Sequence, residues 1–185
     1  MARIEVPPGD GSERHRFWMM QPALGKPAAK LQEAVYGDME LSVRDREAAR
    51  RRIATINECL VCLDLRPGDM SDYGLDEDFY QSIADYRTRS DLYSPREQLA
   101  IEYAERFALD HKGIDDDLFD RLREEFSEAE IMELSTVIAR HFAFGRMTMV
   151  LQLYGDGCAV DGGLPSDPYQ RIADTEPQKV AGGPL

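Results

Sequence analysis

Cysteine is scarce in this chain: three residues among 185, at positions 59, 62 and 158. So small and odd a number excludes the disulfide framework of a small secreted domain, and it is ordinary for a cytoplasmic protein carrying one redox pair. Long apolar runs are missing too. The opening MARIEVPPGDG lacks the apolar segment of a secretory leader, and no stretch reaches transmembrane length. The expected setting is therefore the cytoplasm, with no membrane partner. Positive charge is in short supply, with 22 Lys and Arg against 35 Asp and Glu, a net charge of −13 and a pI near 4.6. That balance leaves no basic face for nucleic acid. Strand-like alternation and internal repeats are also missing, so the apolar residues are read at helical spacing. At 43% of the chain they suffice for a real core in a single domain.

What is present centres on Ser42 to Arg66, SVRDREAARRRIATINECLVCLDLR. Ser42 is suited to cap a helix, because its side-chain oxygen can accept from an orphan N–H two or three residues on. Ala48, Ala49, Ile53 and Ile56 then fall on one side, with Arg44, Arg51 and Arg52 on the other. Asn57 is a poor interior residue and a good N-cap, so the break belongs there. Cys59 then lies in the first turn of a second helix and Cys62 one turn on, before Pro67-Gly68 closes it. Amide N–H groups and the macrodipole favour a thiolate at that helix start, which singles out Cys59 as the lower-pKa thiol. A disulfide between consecutive turns pins nothing remote and suits cycling better than scaffolding. The Arg50-Arg51-Arg52 run reads as a solvated or subunit-facing edge, with Glu47 and Arg51 paired at i, i+4; anion binding is the other reading.

Taken in order, residues 1–12 are rich in Pro and Gly and read as unstructured. A short turn is expected through Phe17 to Met20, then a helix from Pro22 to Gly37. Asp76 caps a helix carrying Phe79, Tyr80, Ile83 and Tyr86. Ser94-Pro95-Arg96-Glu97 is a capping box with proline at the first helical position, and its helix should end near His111-Lys112-Gly113. Asp115 to Glu125 forms another amphipathic helix. Ser127 and Glu130 open the longest one, expected up to about Tyr154 and apolar nearly all round, as a helix buried between subunits would be. The expectation is an all-α bundle of about seven helices that forms a homo-oligomer. It divides into an N-terminal extension (1–21), a helical domain (22–158) and a disordered tail (159–185).

With these residues laid out, the chain resembles the carboxymuconolactone decarboxylase superfamily, in its AhpD-like alkylhydroperoxidase branch, over roughly residues 22 to 155. The resemblance is carried by Arg46-Glu47, Ile53 through Cys62, Gly74-Leu75, Ser94 through Glu97, and Phe126 through Leu134. The family pattern is a glutamate, eleven residues, Cys, two residues, Cys, three residues, His. Glu47, Cys59 and Cys62 take the first three places, and Arg66 stands where histidine is expected. The resemblance implies an oligomeric peroxidase that reduces small hydroperoxides and is recharged by a dithiol reductant protein, with no cofactor and no metal. By carry-over Cys62 attacks the peroxide, Cys59 resolves, and Glu47 is the general base.

Other readings stand beside this one. On a straight helix Glu47 and Cys59 would lie about 18 Å apart, so they meet only if the chain folds back at Asn57. A guanidinium at Arg66 can favour a thiolate but cannot relay protons. His141 and His111 are the nearest substitutes, each also readable as structural. Cys59, Cys62, Cys158 and a histidine could instead form a zinc site, although no second short-spaced pair exists. Cys158 is otherwise incidental or a third redox thiol. The functional alternatives are a lactone enzyme of the same superfamily and a non-catalytic oligomeric binding or sensor protein.

Overall fold

The computed structural model describes residues 2–37, 39–67 and 70–153. Eight α-helices run in order: α1 Glu13–Met19, α2 Pro22–Tyr36, α3 Val43–Ile56, α4 Leu60–Asp64, α5 Glu77–Gln81, α6 Pro95–Leu109, α7 Asp116–Glu125 and α8 Glu128–Leu151. Short 3-10 segments occupy Met70–Tyr73, Ile83–Thr88 and His111–Gly113. The described residues contain no strand, so the architecture is all-α as expected, with eight helices where about seven were expected.

Local chemistry explains most boundaries. Ser42 accepts from the Asp45 amide to start α3, and both expected capping boxes form, Ser94 with Glu97 on α6 and Ser127 with Glu130 on α8. Three ends differ from expectation. The helix begun at Asp76 stops at Gln81, because the Ser82 hydroxyl bonds Asp78 and accepts from Arg89, and the chain tightens into a 3-10 turn. The helix from Pro95 ends at Leu109, with His111–Gly113 forming a separate turn. α8 ends at Leu151, where Gln152 turns left-handed at φ 55°.

Helix α3 is the axle of the bundle and packs mainly against α6 and α8. Ala48, Ala49, Ala100 and Ala104 have no exposed surface, and side chains this small let the α3 and α6 backbones approach closely. Ala49 and Ile53 join a core with Leu99, Tyr103, Leu122, Leu134 and Ile138. Ala48 belongs to a second cluster with Phe79, Tyr80, Tyr86, Tyr93 and Ile101. Each large apolar side chain so buried contributes roughly 1.5–3 kcal/mol. Arg96 clips the layers together, its Nε 2.9 Å from Asp45 on α3 and its Nη2 on Glu130 of α8.

The N-terminal residues have no regular secondary structure, yet they are tied down. The Arg3 amide donates to Leu151 O at 2.9 Å and its guanidinium to Val150 O, a cation on the carbonyl end of α8. Trp18 of α1 packs on Phe144 of α8, ring centres 5.2 Å apart. Gly25 makes this possible: a Cβ there would sit 2.3 Å from Trp18 O, so only glycine lets α2 cross so close to α1. The tail beyond 153, with Cys158, lies outside the described residues.

Candidate active site

Helix α3 breaks where expected, and the chain folds back immediately after it. Asn57 follows α3 as its C-cap, Glu58 adopts φ 51°, and the Cys59 amide donates back to Ala54 O at 3.1 Å. A left-handed φ costs a non-glycine residue about 1–2 kcal/mol, so surrounding contacts must hold this turn. Asn57 supplies them: its Nδ2 donates to His141 O and Phe142 O at 3.2 and 3.0 Å, and its Oδ1 accepts from Arg146. The expected N-cap role of Asn57 is therefore corrected. Its side chain is committed to α8, and Cys59 itself caps α4, its Sγ accepting from the Cys62 amide at 3.4 Å.

Cys59 and Cys62 are bonded sulfur to sulfur across this turn, their Cα atoms 5.2 Å apart. Cys59 has no exposed surface, whereas Cys62 is half-buried. The same turn presses on α8 at Gly145, where a Cβ would come 2.9 Å from Asn57 Nδ2 and 3.5 Å from Cys62 Sγ.

Glu47 lies on the buried side of α3, and the expected surface pair with Arg51 does not form. Its partner is Arg50, whose Nε and Nη2 reach the two carboxylate oxygens at 2.9 and 2.8 Å, both side chains fully buried. The Tyr80 hydroxyl donates to the same carboxylate at 3.0 Å. Arg50 then turns to the cysteine segment, donating to Cys62 O at 2.7 Å and Leu65 O at 3.1 Å. Glu47 and the cysteines are thus linked through Arg50, which is buried inside the subunit and not on the solvated or subunit-facing edge expected of the Arg50-Arg51-Arg52 run. Burial opposes the charge on Arg50, but the hydrogen bonds and attraction of Glu47 outweigh it and raise its pKa. Burial also raises the Tyr80 phenol, reinforced by the adjacent Glu47 carboxylate. Arg51 instead donates to Tyr80 O and Leu63 O, and Arg52 pairs with Glu105.

Arg66 points elsewhere. Its guanidinium grips Glu77 at 2.8 and 2.9 Å, donates to Leu63 O and Leu65 O, and stacks 4.0 Å over the Tyr80 ring. His141 is 6% exposed on α8, next to a cavity that Cys62 also lines. Its Nδ1–H donates to Val137 O at 2.8 Å, leaving Nε2 to accept from Tyr36 OH at 3.0 Å and from Arg140 at 3.2 Å. Burial, with Arg140 beside it, lowers its pKa to about 3, so the ring is neutral near pH 7. His111 is exposed and does not border the cavity. Among the described residues no cluster of three His, Cys, Asp or Glu could hold a metal.

The cavity has a volume of about 380 Å³ and lies between α1, α2, α8 and the cysteine turn. Trp18, Phe144 and Met147 give it an apolar body, while Tyr36, Arg140 and Arg50 add polar groups. Of these, sequence reasoning missed Tyr36, Arg140 and Arg50. Only Arg50 left a trace, as the i+3 neighbour of Glu47.

Comparison with known proteins agrees with this architecture. No protein-family model matches the chain. It is 27% identical over 107 residues to the uncharacterized protein YdfG of Bacillus subtilis, spanning 57% of this chain and 72% of YdfG. Its fold superposes on an uncharacterized peroxidase-related protein from Silicibacter sp. TM1040 with TM-score 0.72, at 13% identity over 84% of this chain and 92% of that one. An AhpD-core, peroxidase-related protein from Ralstonia eutropha JMP134 gives TM-score 0.69, at 16% identity over 84% and 93%. The chain therefore has the AhpD-like helical fold. None of the described helices is long and apolar enough to cross a membrane.

Proposed function

We propose that the protein is a thiol-dependent peroxidase that reduces small hydroperoxides through a Cys59–Cys62 dithiol and disulfide cycle. The observation that carries this reading is the asymmetry of the pair: Cys62 borders a cavity, and Cys59 lies fully buried behind it within bonding distance. The Cys62 thiolate attacks one peroxide oxygen and the O–O bond breaks. The alcohol leaves with a proton from water, and Cys62 becomes a sulfenic acid. The Cys59 thiol then attacks that sulfur, water departs, and the disulfide forms. A dithiol reductant protein supplies two electrons and two protons to restore both thiols.

Arg50 holds its charge one peptide away from the Cys62 side chain, through its bond to Cys62 O, and so favours the thiolate. Glu47, with both oxygens engaged by Arg50 and one also by Tyr80, is assigned to positioning Arg50 rather than to taking the proton itself. Arg66 in turn holds Tyr80 in place by stacking on its ring. His141 has no free N–H to offer and acts as an acceptor on the cavity wall. We place the protein in the cytoplasm as a homo-oligomer.

Peroxide consumption with dithiothreitol as reductant tests the assignment. Cys62→Ser is expected to abolish turnover, and an undiminished rate would refute the proposal. Cys59→Ser should still lose its remaining thiol to the first equivalent of peroxide, without forming an internal disulfide. Wild-type thiols that oxidise but are never turned over would point to the sensor reading.

A further inference from the structure

The described charged groups that line the cavity are all of one sign. Among the described residues its lining includes Arg14, Lys26, Arg50 and Arg140 and no Asp or Glu, in a chain whose net charge is −13. Arg50 is neutralised by Glu47, whereas the others have no carboxylate partner among the described residues. Arg140 makes no salt bridge among the described residues: its Nη1 meets the His141 ring, its guanidinium lies 5.4 Å from the centre of the Phe144 ring, and its buried Nε has no acceptor among those residues. Arg14 of α1 also has no carboxylate partner among the described residues and lies close enough to repel Arg140. Arg46 of α3 is 5% exposed, stacks on Tyr36 and donates to Val35 O at 3.5 Å, and its Nε has no partner among the described residues. Buried guanidiniums are ordinarily closed by carboxylates or carbonyls, as Arg50 is; those left open beside a cavity are arranged for an anion that comes and goes.

Apolar side chains make up the rest of the wall, Trp18 and Phe144 in contact and Met147 beside them. Resting on the peroxidase reading, we propose that the cavity binds an amphipathic anion: a hydroperoxide with an aliphatic body and a carboxylate, the carboxylate held by Arg140 and Arg14. The spacing on α8 fits such a ligand. Gly145, where a Cβ would come within 3.5 Å of the Cys62 sulfur, is five residues beyond Arg140, about 7.5 Å along the helix axis. A carboxylate at Arg140 therefore leaves a few methylene groups before the peroxide meets the thiol. Of the same-length neutral alkyl hydroperoxides and their carboxylate counterparts, the site favours the latter.

Trp18 is the only tryptophan in the chain and lines the cavity, so its fluorescence reports occupancy without any chemistry. The test titrates decanoate, below its micellar concentration, against decanol, using full-length protein carrying Cys62→Ser. Decanoate is expected to bind about tenfold or more tighter than decanol, with that preference lost in Arg140→Gln and weakened by added salt. Arg14→Gln, on a separate helix, should reduce the same preference and guards against a folding defect at position 140. Equal affinity for the two probes, or a preference that survives both substitutions, overturns the inference. Because these titrations need no turnover, a failed peroxidase assay beside selective decanoate binding would sink the catalytic reading and leave the anion site standing.

Discussion

Arg50 and Arg140 border the same cavity and meet opposite fates. On the α3 wall, Arg50 has no exposed surface and is fully occupied by two carboxylate oxygens and two carbonyls. On α8, Arg140 meets a neutral histidine, the Phe144 ring and the charge of Arg14, with one donor unmet among the described residues. Side chains of identical chemistry thus serve different ends. A closed guanidinium fixes backbone, here the cysteine turn; an open one keeps its charge available to something outside the chain. The difference also accounts for how a protein of strongly negative charge presents a positive cavity wall.

The sharpest way to break the comparison is to open the closed side. Arg50→Met strands the Glu47 carboxylate in the interior and frees the carbonyls of Cys62 and Leu65. Losing one partner of a buried pair costs about 3–5 kcal/mol, and a loss of that size is expected in urea unfolding. Replacing both partners, Glu47→Leu with Arg50→Met, should recover much of it, because no uncompensated charge remains. Losses that simply add in the double variant would show that Glu47 and Arg50 do not act as a unit.

How much of this was legible beforehand follows from what each feature depends on. Ser42, Ser94 and Ser127 announced their helices because a cap is a contact between residues three apart. The break at Asn57 was expected from its poor fit to a helix interior, but the sequence left open whether the chain folds back there. Its pinning to α8 was not legible, since His141 O and Phe142 O lie more than eighty residues away and the contact is to backbone, which carries no side-chain signature. Arg50 misled because three successive arginines look like a water-facing edge; a helix turns 100° per residue, so consecutive positions face different neighbours. Tyr36 and Arg140 flank His141 from two helices, an arrangement that no spacing in the chain records.

A smaller effect is expected at the boundary between the two walls, His141. Tyr36 of α2 and Arg140 of α8 contact its Nε2, and the charges of Arg46 and Arg50 on α3 act on it. Its folded-state pKa is depressed to about 3, below the ordinary value of 6.5, so the unfolded chain binds its proton first. The stability this ring contributes is therefore complete above pH 6.5 and is lost progressively as pH falls toward 3. Unfolding midpoints measured from pH 7 to 4 should fall more steeply for the wild type than for His141→Gln. The gap should reach a few kcal/mol at the acid end. Parallel profiles would mean that the ring is solvated and does not separate the walls.

The smallest effect, and the one that most sharpens the contrast, concerns the stability of the open side. Removing an arginine that has no carboxylate partner among the described residues takes away an unmet buried donor and the repulsion from Arg14, at the cost of some stem packing and the contact with Phe144. Arg140→Gln should thus leave the protein as stable as before or raise its stability by about 0.5–1 kcal/mol at low salt. Decanoate should then raise the Tm of the wild type, as any ligand selective for the folded state does, and leave that of Arg140→Gln nearly unchanged. A destabilisation comparable to that of Arg50→Met would overturn the distinction. It would mean that Arg140 is closed by contacts of the folded protein and is not held open for a ligand.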